Sequence, residues 1–359
     1  MINCLWNKYG LPVMALLAGS SALVLAVMAF IGGTSEPAYA QEKALNLYSA
    51  RHYQTDEALY TNFTRATGIK VNRIEGGEDA LMERIRNEGP NSPADVLITV
   101  DVGRLWRAEA MGLFAPVKSK LLEARIPANY RDPNGHWFGF STRARVIVYN
   151  KDKIKPSELS SYEDLADPKF KGKICTRSAS HVYNLSLMGS IIGALGEEKA
   201  EAWAKGVAAN LARQPKGGDT DQLRSVAAGE CDIALSNTYY YVRIMRSGKP
   251  EDKKLIEKVG VIWPNQNGRG THVNISGGGM LKYSPHKEAA AKFLEYLASD
   301  EAQSYFADGN NEWPVVPRVA TNNPALKALG TFKADPINIA VIGKNQPLAQ
   351  KIFDRAGYK

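Results

Sequence analysis

The chain has 359 residues, 44% of them hydrophobic and 23% charged, and a formal net charge of +8. That is enough chain for two lobes of ordinary size, with no repeat period or low-complexity tract. The basic residues are scattered, without an Arg-rich helix or an aromatic–basic platform, which excludes a nucleic-acid binder and leaves at most a weak attraction to anionic surfaces.

Residues 1–40 stand apart. Lys8 precedes an uncharged apolar run over residues 11–32, and Ala38-Tyr39-Ala40 then offers a small-residue cleavage site, so that Gln41 opens the mature chain. The run is long enough to span a bilayer if it were retained as an anchor. Either way the body is exported, to the periplasm. Cys4 leaves with a cleaved leader; Cys175 and Cys231 remain, an even pair in an oxidising compartment. A disulfide requires that the segments carrying them, KGKIC and CDIAL, be neighbours. Their spacing does not suit zinc.

In the mature chain, residues 44–49 alternate like a strand, and a helical pattern follows through Leu59 and Phe63 to a capping Gly68. Residues 69–74 read as a strand, 79–87 as a helix, 94–100 as a buried strand, and Asp101 opens another helix. This order marks an α/β lobe with a largely parallel sheet. Residues 144–150 read as a strand crossing to a second lobe. There, a short helix at 162–165, a strand at 174–177, a polar turn over 178–184 and helices at 185–195, 200–211 and 220–229 lead to the buried strand 231–235. Residues 260–264 and 271–276 read as the return crossing, and 286–299 as an amphipathic helix. From Trp313 onward the chain reads as loop-rich with short helices. The fold class is therefore two α/β lobes with a cleft between them: residues 41–140 and 272–312 in the first, 141–271 in the second, and 313–359 packing mainly on the second.

In such sheets ligands sit beyond the carboxyl ends of strands, beside helix N-termini. Three places combine that position with unusual side chains: His52-Tyr53, Tyr183, and Tyr239-Tyr240-Tyr241. Neighbours on a helix point about 100° apart, so three adjacent rings cannot share one face. Taken alone, such tyrosines are core or interface aromatics in most proteins. As donors they point elsewhere. Ionising one phenol at neutral pH costs about 4 kcal/mol, and four cost roughly 16 kcal/mol before their mutual repulsion. Only a strong cation offsets that. Phenolate oxygens with one imidazole suit ferric iron; magnesium and calcium prefer carboxylates and carbonyls, and zinc wants more His or Cys. Four phenolates against a 3+ ion leave one negative charge, which Arg51, Arg143, Arg177 or Arg243 could balance. His181 is a further candidate; His136 and His272 read as structural, and His286 as the start of an exposed helix.

The text around these positions resembles a known family. Ser49-Ala50-Arg51-His52-Tyr53, Val182-Tyr183-Asn184 and Asn237-Thr238-Tyr239-Tyr240, with the longer runs SPADVLITVDVGRLWRAE, WFGFSTRARVIVYN, ADPKFKGKI and GRGTHVNISG, are similar to the ferric-iron-binding proteins of bacterial ABC importers, above all the FutA-type branch. The similarity runs over the whole mature chain. It implies a type II periplasmic-binding-protein fold with iron in the cleft, no added carbonate, and His52, Tyr53, Tyr183, Tyr239 and Tyr240 as ligands, with Tyr241 a non-ligand. It does not imply a disulfide. The expected cargo is Fe(3+), with Fe(2+) left open as a second state. The expected partners are an iron ABC permease and its ATPase, the chain is expected to be a monomer, and no enzymatic activity is expected. Two rivals are a binding protein for an anionic solute, using Arg51, Arg143 or Arg177, and a non-haem iron enzyme, which needs open coordination positions that five protein ligands hardly leave.

Overall fold

A computed structural model describes residues 43–51, 53 and 55–359. The leader expected over residues 1–40 and the candidate ligand His52 lie outside the described residues.

In chain order the elements are β1 (Ala44–Ser49), α1 (Asp56–Thr67), β2 (Lys70–Glu75), α2 (Glu78–Glu88), β3 (Val96–Val100), α3 (Val102–Ala110), α4 (Lys120–Arg125) and β4 (Phe138–Asn150). Then follow β5 (Ile174–Cys175), α5 (Val182–Leu195), α6 (Glu197–Ala209), α7 (Asp219–Ala228), β6 (Ile233–Asn237), α8 (Thr238–Met245), α9 (Pro250–Lys258) and β7 (Val259–Ile262). The chain closes with β8 (Val273–Met280), α10 (Lys287–Leu297), α11 (Asp300–Asn310), β9 (Trp313–Pro314), α12 (Pro324–Ala328) and α13 (Ile339–Ala356).

The strands run β2-β1-β3-β8-β4-β6-β5, with β7 and β9 also on β4. The β2-β1-β3 wing is parallel, as expected, but β8 joins it antiparallel, and β4 pairs antiparallel with β8. The β5–β6 pair is parallel. The two wings are the two lobes of the expected α/β fold. β4 carries the chain between them: Phe138–Ala144 pairs with β8, and Arg145–Tyr149 with β6. Every residue of β4 is buried, as it must be where helices cover both faces of a sheet.

Strand periodicity sorts the cores. Leu45, Leu47, Val96 and Ile98 face α1, α10 and α11, while Tyr48 and Leu97 face α2 and α3. In the other wing Ile147, Ile174, Ile233 and Leu235 face α5, α6 and α13, and Val146, Val148 and Ala234 face α7, α8 and α9. Cys175 and Cys231 are joined, with Cα atoms 5.8 Å apart. The condition set by the sequence is met, because β5 lies beside β6 and places Cys175 opposite Ala234.

Three expectations need correction. Residues 260–264 do not cross back: β7 stays in the second wing, antiparallel to the end of β4, and β8 alone makes the return. Tyr183 is not in a polar turn, because α5 begins at Val182 under a cap from His181. The C-terminal region is not merely short helices. α13 runs 18 residues through Pro347, although an interior proline costs a helix about 3 kcal/mol. Tertiary burial outweighs that cost, with Ile342, Ala349, Ile352 and Phe353 all enclosed. A Cβ at Gly189 of α5 would lie 2.6 Å from the Ile342 carbonyl oxygen, so only glycine lets the two helices approach this closely.

Candidate metal centre

Tyr183 occupies the first turn of α5. The His181 Nδ1 accepts the Tyr183 N–H at 3.2 Å. Burial, reinforced by the Arg177 charge, pushes the His181 pKa down to about 3. Its ring is neutral and that nitrogen is already engaged, which sets His181 aside as a donor through Nδ1.

Tyr239 and Tyr240 open α8, directly after β6. Asp219, at the first position of α7, fixes both helix starts. Its carboxylate accepts from Arg145 (3.0 Å) and the Asn237 N–H (2.8 Å) through one oxygen, and from Arg177 (3.1 Å) through the other. Arg145 also donates to Asn184 at 2.8 Å, and Asn184 donates to the carbonyls of Arg177 and Ser178. Burial alone would raise the Asp219 pKa, but Arg145 and Arg177 outweigh it and hold the carboxyl below the usual range.

Tyr53 comes from the first wing, on the irregular segment between β1 and α1. Its hydroxyl donates to Glu312 at 2.8 Å. Glu312 is fully buried, and Ser141 (2.5 Å) and Ser276 (3.1 Å) donate to its other oxygen. The Arg51 guanidinium pairs with Asp56 at 2.6 Å, approaches Glu312 at 3.9 Å, and lies 4.7 Å from the Tyr53 ring centroid.

The four described tyrosines meet. The Tyr53 and Tyr239 rings lie edge to face at 5.9 Å. Tyr239 and Tyr240 lie 4.2 Å apart, and the hydroxyls of Tyr183 and Tyr239 are 3.0 Å apart. Tyr241 turns away from them and donates to the Val259 carbonyl at 2.9 Å. All four arginines named from the sequence touch this group. Arg143 and Arg177 lie 5.9 and 5.0 Å from the Tyr183 ring, Arg243 lies 5.1 Å from the Tyr240 ring, and Arg51 lies over Tyr53. Arg143 is buried, and its Nε and Nη2 have no hydrogen-bond partner among the described residues.

Without a cation Tyr53, Tyr183 and Tyr239 stay neutral. Burial pushes Tyr53 and Tyr239 well above the ordinary phenol value, with Glu312 adding to the rise at Tyr53 and Tyr183 adding to it at Tyr239. Tyr183 is raised too, by burial and then by Tyr240. Glu312, Asp219 and Arg145 were not singled out from the sequence. Each is held by at least one partner more than seventy residues away, and no local pattern announces such contacts.

Two lobes, a strand crossing between them and polar side chains converging from both define a binding protein of the periplasmic type. Residues 91–335 match the family described as bacterial extracellular solute-binding proteins, and the chain belongs to it. It is 52% identical over 319 residues to iron uptake protein A1 of Synechocystis, covering 89% of this chain and 88% of that one. Among solved structures it resembles the Trichodesmium FutA (IdiA) protein in complex with iron and citrate, at 58% identity and a TM-score of 0.85, covering 88% of this chain and all of that one. The ferric binding protein of Campylobacter jejuni matches at 46% identity and a TM-score of 0.83, with 88% and 100% coverage.

Proposed function

We propose that this chain is an extracytoplasmic ferric-iron-binding protein that captures Fe(3+) between its lobes and delivers it to an ABC permease and its ATPase. The observation that carries the reading is the ring contact of Tyr53, from one wing, with Tyr239 in the other, whose hydroxyl meets that of Tyr183. His52, Tyr53, Tyr183, Tyr239 and Tyr240 are the proposed ligands. Phenolate is a hard donor, and a 3+ ion is what makes several buried phenolates stable together. Because the donors come from both wings, the metal favours the closed arrangement. Residues 1–40 act as the export leader, and the segments 41–140 with 272–312, and 141–271 with 313–359, form the two lobes. Among the described residues no helix is long and apolar enough to cross a membrane.

An anionic solute fits less well. Arg51 and Arg177 are already paired with Asp56 and Asp219, and only Arg143 of that trio is without an acidic ion-pair partner within 4 Å among the described residues. The two readings separate in a cuvette. Fe(3+)-loaded protein should show a visible phenolate-to-iron charge-transfer band, shifted and weakened in Tyr240→Phe. A colourless mixture with iron would favour the anion reading. Loading must also expel phenol protons, because burial keeps Tyr183 and Tyr239 protonated in the metal-free form. Iron affinity should therefore fall as the pH is lowered from about 8 to about 5, each displaced proton contributing about 1.4 kcal/mol per pH unit. Chelator competition measures it, and a flat profile would remove acidification as a release route.

A further inference from the structure

A second group of metal-type donors lies at the far end of α3 from the cleft. Asp101 caps the first turn of that helix; Glu109 stands in its last turn and faces the loop that leads into β4. The His136 Nδ1 is 3.0 Å from Asp132 Oδ2 and 3.6 Å from Glu109 Oε1. One donor atom from each of the three residues lies within 4.8 Å of the others. A tetrahedral ion bonded at about 2.0–2.1 Å to its ligands holds those ligands roughly 3.3–3.4 Å apart, and the observed separations bracket that value. We propose that Glu109, Asp132 and His136 form a second binding site, independent of the cleft, for a divalent transition metal, with Zn2+ the best fit.

Charge supports this as well as geometry. Asp132 is buried, and among the described residues the only ion-pair partner of either Asp132 or Glu109 is His136. Asp132 Oδ2 also accepts the Asn134 and His136 N–H groups at 2.9 and 3.0 Å, but among the described residues no lysine or arginine lies within 4 Å of either carboxylate. A 2+ ion supplies the missing charge, while the imidazole carries its proton on Nε2 and turns the Nδ1 lone pair to the metal. The donors are already oriented from behind: the other oxygen of Glu109 accepts from Trp137 Nε1 at 2.7 Å, the kind of outer contact that fixes a metal ligand. Asp132 N–H to Trp137 O and Gly135 N–H to Asp132 O, both 3.0 Å, close the loop. One nitrogen and two oxygens suit zinc, whereas calcium and magnesium prefer oxygen alone. The side chains of His136 and Glu109 are 27% and 26% exposed, which leaves the fourth position to water.

Calorimetric titration of the full-length mature protein with Zn2+, beside His136→Gln, Glu109→Gln and the cleft double variant Tyr239→Phe/Tyr240→Phe, tests the site. One zinc per chain should remain in the cleft double variant. His136→Gln and Glu109→Gln should each weaken it by about 100-fold or more while keeping the wild-type iron band. Zinc uptake that disappears with the cleft tyrosines, uptake indifferent to both His136→Gln and Glu109→Gln, or no uptake by the folded protein would each overturn the proposal. Should one of these two variants lack a cooperative melting transition, the other carries the comparison alone. Because the iron band is read separately, failure here leaves the cleft reading standing, and the reverse holds too.

Discussion

The two sides of the tyrosine cluster are built in opposite ways. Tyr183, Tyr239 and Tyr240 stand in the first turns of α5 and α8, and one buried carboxylate, Asp219, ties both helix starts together through Arg145, Arg177 and Asn237. Tyr53 stands on irregular chain between β1 and α1, held at its tip by Glu312 and along its ring by Arg51. A wall made of helix starts holds its donors in place whether or not the cleft is filled. A donor on irregular chain can adjust as the lobes approach. On the proposed reading the cleft combines a fixed wall with a clasp on irregular chain, and the metal would draw the second onto the first.

The comparison breaks most directly through Tyr239, which touches Tyr53, Tyr183 and Tyr240. Tyr239→Phe keeps the ring packing and removes one donor. Ferric affinity by chelator competition should fall by well over the 100-fold or so that outer-shell losses reach. Tyr53→Phe should cost less, because the segment that carries it can rearrange. Equal losses in the two variants would mean that both walls are fixed.

Glu312 is the next lever. It is fully buried, takes hydrogen bonds from Tyr53, Ser141 and Ser276, and sits near Arg51 and Arg143. Glu312→Ala strands those donors and should destabilise the fold by about 3–5 kcal/mol, the usual cost of removing one partner from a buried charged pair. Glu312→Gln keeps one acceptor oxygen for these donors and should cost less. Denaturant unfolding reads the first effect. An unchanged midpoint in Glu312→Ala would show that the clasp is not anchored there.

The fixed wall was the more legible of the two. Strand, polar turn and helix are written locally in Cys231-Asp232-Ile233-Ala234-Leu235 and the tyrosines after it, and helical spacing says that the three adjacent rings cannot share one face, though not which of them turns away. The order of strands and longer helices through β6 was equally readable, apart from the six-residue α4, because hydrophobic periodicity is a local property. What holds the site together was not. Glu312 follows Asn310 and Asn311 at the end of α11, with nothing nearby to show that it meets a tyrosine 259 positions earlier. Asp219 reads as an ordinary helix-start acid until β4 brings Arg145 to it. α13 was missed for a related reason: Gly343 and Pro347 are breakers by propensity, and only burial against α5 and α6 overrides them.

The second wing carries a further constraint that the first lacks among the described residues. The Cys175–Cys231 bridge, spanning 56 positions, ties β5, and Arg177 just after it, to the start of β6. Replacing both cysteines with alanine should lower stability by about 2–4 kcal/mol and loosen the Arg177–Asp219 contact behind Tyr183. A matching loss of ferric affinity would show that the bridge supports the fixed wall; lost stability with unchanged affinity would show that Asp219 holds that wall alone.

The smallest expected effect concerns the joint between the wings. His272 precedes β8, is buried, and has no partner for its Nδ1 among the described residues. Burial, with Arg145, Arg143 and Arg269 acting in the same direction, pushes its pKa down to about 3. The unfolded chain takes up that proton near the ordinary value of about 6.5. The folded state therefore binds fewer protons than the unfolded state between those two values, and the stability His272 contributes is complete above about pH 6.5 and declines as the pH is lowered. His181 acts in the same sense. Between about pH 6.5 and 5.5 the loss from His272 should be about 1 kcal/mol. His272→Gln removes the titrating ring from the joint while leaving a polar side chain there, and should flatten the stability–pH slope in that window by about 0.7 of a proton. If the slope is unchanged, the joint does not carry the pH response, and acidification acts through the tyrosine wall or the clasp instead.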